Sequence, residues 1–468
     1  MRGKSDFSSS PSLIPHPSSL DTLALEAVGW MKRENPALQS EVYLVRGQER
    51  SLEVREGQLE TLQDRQYFGG GVRVVQEGRM GFAYAADLSL DSIQELFRTV
   101  ANQIHLLPKD SFRQLPYPDQ KIQPGSDRAL RDTLWDPSLF SDPLLNKLEF
   151  LKQMESQAMQ ADSRIRRVVR LGYSESSGEV VVANTLGVQA LEQGTYCEVG
   201  LSAVAEQGSE IQIGSSSQSC RFSKDLDFGR TARQASERAA VLLGSQKLPT
   251  RRRSVVFDPW VAGEFLDLMA QALCADQVQR GKSIFRGKME KKVGSSQVQI
   301  LDDPRRPKGL ATSLFDDEGV PTRTKVLIGE GILKEFLYDT YTAAKDKRVS
   351  NGSANRASFK GTPSPGSSNF YLSPGNWSKE KLIQDTQDGI LILDVMGMHM
   401  ADSVSGEFSV GVSGVAIERG KITHGVKGAM ISGTVLELLQ QIDAVADDLT
   451  FYGSTGSPTF RVADLTVA

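Results

Sequence analysis

Asp402-Ser-Val-Ser-Gly-Glu-Phe-Ser-Val-Gly-Val-Ser-Gly-Val-Ala-Ile-Glu-Arg-Gly-Lys421, continued by Gly425-Val-Lys-Gly428, is the stretch that decides the fold. Small residues alternate here with Val, Phe and Ile, a pattern that suits strands packed closely against another backbone. Arg419-Gly420 supplies the turn of a hairpin into Lys421-Ile-Thr-His424.

Outward from this hairpin the chain continues to favour strands. Ser51–Arg55, a turn at Glu56-Gly57, and Val72–Tyr84 read as antiparallel strands, as does Arg167–Ile213 with its glycines at 178, 187 and 208. Helical spacing is confined to a few segments. Asp21 is expected to cap a first helix whose apolar face is Leu23, Ala27, Val28 and Met31. Ser89 opens a second, with Ile93, Leu96, Phe97, Val100 and Ile104 on one side. Further helices are expected from Ser141 and over Thr231–Leu243. After Asp258 as N-cap and Pro259 another begins, then one from Ser378 and one over Thr434–Asp447. Leu106–Asp142 is rich in Pro and polar residues and reads as an irregular connection. Strands and helices do not alternate in βαβ fashion, which excludes a doubly wound parallel sheet. The expectation is an α+β chain of two domains with mainly antiparallel sheets and flanking helices, the C-terminal domain β-rich. Its parts are a disordered Ser/Pro-rich tail (1–18), an N-terminal α+β domain (19–246), a linker (247–253) and the C-terminal domain (254–468).

At 468 residues the chain can bury more than one core. Its 54 Lys and Arg against 58 Asp and Glu leave a net charge of −4, which argues against a default nucleic-acid binder. Cys197, Cys220 and Cys274 show no paired or metal-ligand spacing, as in a reduced cytoplasmic protein. No apolar run is long enough to span a bilayer.

Motif by motif, the plain structural reading is the stronger. Arg251-Arg252-Arg253, near Lys247, lacks interleaved aromatics and a reading helix, so it is a solvated turn or docking patch more readily than a DNA contact. Gly69-Gly70-Gly71 lacks the spacing and following helix of a phosphate loop. Asp316-Asp317-Glu318 lacks calcium-loop spacing and suits turn chemistry before Gly319 and Pro321. His399 and His424, with Asp394 or Glu407, have no ligand spacing on one element. No Ser, Cys or Thr stands in a nucleophile elbow. The residues by themselves display no catalytic machinery.

Several blocks together carry a resemblance. They are Gly70–Val75 with Gly78–Tyr84, Phe315–Pro321, Ile328–Lys334, Pro365–Leu372, and the Asp402–Lys421 stretch. In this order they resemble the TldD/PmbA family, once called modulators of DNA gyrase. One branch of that family resembles zinc peptidases and carries a His-Glu-x-x-x-His helix with a C-terminal Cys. In an ungapped comparison Glu264 replaces the first His, Phe265 the Glu and Met269 the second His, and Phe451–Pro458 holds no Cys. That pattern resembles the PmbA branch, also called TldE.

The resemblance implies a non-catalytic subunit with no cofactor of its own. It would be inactive alone, pairing as a heterodimer or higher assembly with a TldD-like metallopeptidase subunit that holds the zinc. Homodimers are possible in the partner's absence, and neither nucleic acid nor membrane is an expected partner. The pair would cleave unfolded or extended peptides in the cytoplasm. Asn369, Phe370 and Tyr371, and Phe408, Ser409 and Val410, are expected to contact the peptide by offering strand edges to which it adds. The other reading is a stand-alone binding protein that regulates a topoisomerase or a toxin–antitoxin peptide.

Overall fold

A computed structural model describes residues 19–118, 127–402 and 404–468, so the 1–18 tail lies outside the described residues. The N-terminal half is built on one six-stranded antiparallel sheet. Its strands follow the spatial order Arg79–Ala85, Gln58–Gln76, Gln39–Arg55, Ile165–Asn184, Gln189–Gln207, Glu210–Cys220. The hairpins turn where the sequence supplies two successive positive-φ residues, Glu56-Gly57 and Glu77-Gly78. Such turns match the twist of the strands they join. Helices Leu20–Glu34, Leu90–Gln103, Leu144–Ala161 and Phe228–Val241 cover one face of this sheet. Val42, Leu44, Val72, Val74 and Val181 pack there on Leu23, Ile93 and Phe97. Leu52, Leu171, Val199 and Leu201 pack on Leu151, Met154 and Ala235. The opposite face carries Ser174, Ser176, Gly178, Gly194, Gly200 and Ser202, all half-buried.

In the C-terminal half, Arg251–Phe257, Asp388–Met396, Glu407–Glu418, Lys421–Thr434 and Phe460–Val467 pair in sequence around a sheet. It closes on itself where Ile431 meets Val467. Arg419-Gly420 makes the expected turn. Gly414 has no alternative: a Cβ there would stand 2.0 Å from the Leu391 carbonyl oxygen, at the bulge between the two strands. A second sheet is assembled from the short strands Ile332–Leu333, Lys325–Gly329, Ile300–Asp302, Phe370–Leu372, Thr455–Ser457 and Thr450–Tyr452. Two pairings are parallel, Asp388–Met396 on Arg251–Phe257 and Phe370–Leu372 on Thr455–Ser457; the rest of the strand ladders are antiparallel. The α+β architecture is as expected.

Local differences have simple causes. Ser19, not Asp21, caps the first helix, its hydroxyl accepting Thr22 N–H at 3.3 Å. Thr434 caps its helix reciprocally with Glu437, but the helix ends at Gln441 because Ile442–Val445 pairs with Phe460–Val462. Arg251–Arg253 are not linker: they form the start of a strand paired with Leu465–Val467. There Arg251 meets Asp388 and Arg252 meets Asp464, both at 2.7 Å, which spends the charge that suggested DNA. Cys197 and Cys220, without recognisable spacing, come into direct cross-strand register as free thiols with Sγ atoms 3.5 Å apart.

The two halves are joined by buried ions. Arg73, on the N-terminal sheet, donates to Glu41 at 2.5 and 3.2 Å and to Glu318, from the C-terminal half, at 2.8 Å. Arg356 reaches back to Glu41. All four side chains are almost fully buried. Glu318 also accepts Thr340 N–H at 2.8 Å. Asp316 is spent on the turn, accepting the N–H groups of Glu318, Val320 and Ala354. Burial and then the Glu318 charge push the nearby Asp339 carboxyl up from 3.8 to about 6.

Removing one partner of a buried pair strands the other charge. Arg73→Met should therefore cost about 3–5 kcal/mol in urea unfolding, whereas Arg252→Met, at an exposed pair, should cost no more than about 1 kcal/mol. For Asp339 the native state holds its proton more tightly than the unfolded chain. Its contribution is present below pH 4 and lost as pH climbs to about 6. Asp339→Asn should flatten that fall in a stability–pH series while keeping the acceptor for Thr342 N–H.

Candidate functional site

Helix Pro259–Ala272 begins as its sequence demands, with the Asp258 side chain accepting Trp260 N–H at 3.2 Å and Pro259 in the first turn. Glu264, Phe265 and Met269 do not converge on it. Phe265 and Met269 are sealed in the core, Phe265 lying edge-on to Phe257 and Phe408 with ring centroids 5.3 and 5.1 Å away. Glu264 is half-buried, its pKa raised by burial and then by Asp394 and Asp267. Asp267 accepts a hydrogen bond from Thr455 in the Phe451–Pro458 segment. The charged groups around Glu264 are thus carboxylates; the thiol at the end of the helix, Cys274, donates to the Ala270 carbonyl at 3.5 Å and is kept protonated by burial. Among the described residues no three His, Cys, Asp or Glu side chains are placed to share a metal ion. His399 and His424 lie apart, the latter beside Thr423. These residues do not fit a zinc site.

The strand-edge idea is corrected by the topology. Phe370–Leu372 is flanked on both sides, by Ile300–Asp302 and Thr455–Ser457. Glu407–Glu418 lies between Asp388–Met396 and Lys421–Thr434. Neither has a free ladder to offer a peptide. Phe370, Phe408 and Val410 are buried; Ser409 is exposed, and Tyr371 half-buried against Phe451. Asn369 is wholly buried and its amide is fully used: Oδ1 accepts Ala311 N–H at 3.0 Å, and Nδ2 donates to the Asp303 carbonyl and Thr312 Oγ1 at 2.8 and 2.9 Å. Asn369 shapes the 303–312 loop.

That loop is one lip of a cleft of about 380 Å³ between the halves. The volume lies within the ~300–1,000 Å³ range of small-ligand sites. Its floor is the open face of the N-terminal sheet at Tyr67, Ser176, Gly178, Gly194 and Tyr196. Its walls come from the C-terminal half, including Leu310, Phe315, Asp317, Ser353 and Ser368. Two side chains from the sheet pin the lip. Arg221 donates to the carbonyls of Gly309, Leu310 and Thr312 at 3.1, 2.6 and 3.2 Å, and burial lowers its pKa to about 10 against the pull of Glu192. Glu192 accepts Ser313 Oγ–H and Leu314 N–H at 2.7 and 3.0 Å, its carboxyl raised by burial. Arg221, Glu192 and Ser353 were invisible to motif reading, because each acts across the domain boundary on backbone or from a loop without spacing.

This architecture has relatives. Three family models match in order: PmbA/TldA metallopeptidase domain 1 over residues 40–104, the central domain over 137–243 and the C-terminal domain over 250–468. The chain belongs to the PmbA/TldD family. A metalloprotease TldD homolog of Haemophilus influenzae is 29% identical over 81% of this chain and 79% of its own length. A metalloprotease PmbA homolog of Buchnera aphidicola is 26% identical over 83% and 84%. A Thermotoga maritima structure, described as that of a candidate modulator of a DNA gyrase, superposes with a TM-score of 0.86 at 26% identity. That match covers 96% of this chain and all of that one. Both PmbA and TldD names occur among the relatives, so the branch must be argued from residues.

In this PmbA/TldD chain the helix is a packing element. Phe265→Ala should cost about 3–5 kcal/mol in denaturant unfolding, whereas Glu264→Gln, which removes a half-buried carboxyl crowded by Asp394 and Asp267, should leave stability at pH 7 undiminished or raised.

Proposed function

We propose that this chain is the metal-free, PmbA/TldE-type subunit of a cytoplasmic metallopeptidase complex whose zinc is held by a TldD-like partner. The observation that carries this reading is helix Pro259–Ala272, which has neither His nor Cys and buries Phe265 and Met269 in the core. A lone carboxylate such as Glu264 cannot hold zinc usefully, since structural and catalytic zinc sites take three or four protein ligands. The sequence supplies no His between His105 and His399 from which a neighbouring element could rebuild one. No helix among the described residues is long and apolar enough to cross a membrane.

In this reading the subunit contributes shape. The small residues of the cleft floor let an extended chain approach the sheet closely, and side chains without tight specificity suit unfolded or extended peptides as substrates. The test is reconstitution. Purified alone, the chain should carry substoichiometric zinc by elemental analysis and leave an unfolded casein or a quenched-fluorescence peptide uncut. Mixed with a TldD-like homologue, it should raise that protein's cleavage several-fold and comigrate with it in size-exclusion chromatography. Stoichiometric zinc and cleavage by the chain alone would overturn the assignment.

A further inference from the structure

The wall of the cleft carries an unbalanced charge. Asp316 and Asp317 line it, and behind them Glu41, Glu318 and Asp339 are grouped against two cations, Arg73 and Arg356. The remaining ions near the cleft pair off: Glu192 lies near Arg221, and Asp302 meets Lys325 at 2.9 Å. Carboxyl groups therefore outnumber cations beside the cleft. Burial raises the Asp317 carboxyl despite Arg356, and raises Asp316 further with the help of Glu318. Such groups are stabilised by a proton or by a cation from solution.

Asp316 has no capacity to spare, since three backbone N–H groups occupy it. Asp317 differs. It lines the cleft; its Oδ2 accepts the Arg356 N–H at 2.6 Å, but its Oδ1 is held only by a long 3.4 Å hydrogen bond from the Tyr43 hydroxyl. Ser353 lines the same cleft, is 5% exposed, and its Oγ has no hydrogen-bond partner. A buried hydroxyl without a partner, in one cleft with a carboxylate oxygen held by a single long bond, leaves that cleft incompletely satisfied. A metal ion would need three converging ligands, and the described residues offer no such set. A group that donates single, separable hydrogen bonds fits better.

We propose that the cleft receives the alkylammonium group of a peptide, with Asp317 as its counter-charge and Ser353 Oγ as a second acceptor. This rests on the reading of the chain as a peptide-handling subunit and narrows it, because it assigns a preference for a cationic residue to this chain and not to the zinc-bearing partner. The ammonium can come from a lysine side chain or from a free peptide N-terminus. The half-buried floor at Ser176 and Gly178 leaves room for the backbone that carries it.

Calorimetry on the chain alone separates the sources with three probes: acetyl-Ala-Lys-Ala-amide, its norleucine analogue, and Ala-Ala-Ala-amide with a free N-terminus. One charge-assisted hydrogen bond is worth roughly tenfold in affinity. The lysine peptide or the free-amine peptide, whichever supplies the natural group, should therefore bind at least about tenfold tighter than the norleucine peptide. Asp317→Asn should erase that difference, and Ser353→Ala should weaken the favoured probe several-fold. Ser176→Phe, which plugs the floor without touching the charged wall, should abolish binding. Equal affinities across the three probes would overturn the proposal in the unmodified protein, whether or not any variant folds. So would undiminished binding by a folded Ser176→Phe protein. If the probes fail but the chain still activates a TldD-like partner, the cleft assignment falls alone; if they bind but no partner is activated, only the subunit assignment falls.

Discussion

The Arg73 guanidinium, held between Glu41 and Glu318, is the interaction on which the rest of the arrangement depends. Glu41 and Arg73 lie opposite each other in the N-terminal sheet, while Glu318 arrives on a turn from the other half of the chain. A buried ion pair is weak evidence for net stability, because desolvation consumes much of the Coulombic gain. Its value here is directional. A hydrophobic contact at this position would tolerate sliding of one half over the other, whereas a guanidinium forked between two carboxylates tolerates little. With Arg356 returning to Glu41, and Arg221 and Glu192 fastening the neighbouring loop, the domain boundary becomes a fixed frame.

That frame explains why the cleft is polar yet open. The sheet face toward the C-terminal half carries Ser and Gly at the cleft floor, so the halves meet around it, through the ions and through the Tyr43, Val182, Ala190 and Phe359 cluster, and leave the middle unfilled. Larger residues would close the gap: a Cβ at Gly178 would come within 3.0 Å of the Tyr67 hydroxyl, and one at Gly194 within 2.5 Å of Arg221. The space comes from the small residues of the floor, and the negative charge beside it from the acidic turn 316–318, which braces the interface through Glu318 and lines the opening with Asp316 and Asp317.

Most of the fold was legible in the sequence. Alternation and paired turn residues gave the long hairpins, and helical spacing with Ser, Thr or Asp caps gave the helices to within a few residues. What could not be read was anything that depends on distant pairing. Whether Phe370–Leu372 is an edge or a centre depends on strands some seventy residues before and eighty after it. The Arg251–Arg253 run looked like an exposed linker because Asp388 and Asp464, which neutralise it, are remote in the chain. The acidic turn read as local chemistry, true of Asp316 toward Glu318 and Val320 but not of its bond to Ala354, nor of Glu318. The cleft, likewise, is a property of two domains in contact and has no local pattern at all.

Helix Pro259–Ala272 is held in place by its packing. Phe265 and Met269 occupy a core that includes Phe257, Phe408 and Phe460, and the stacked Phe257–Phe460 pair ties the helix to the closed sheet. Polar ligands at these inward positions would have to be desolvated and hydrogen-bonded or metal-bound to be tolerated. Without a metal, apolar residues fill the same volume at no such cost. With Phe and Met there, a single substitution by His would bury an unpaired imidazole and destabilise the helix. Packing thus makes these positions intolerant of polar side chains, whereas the cleft keeps polar groups at its wall, Asp317 and Ser353 among them.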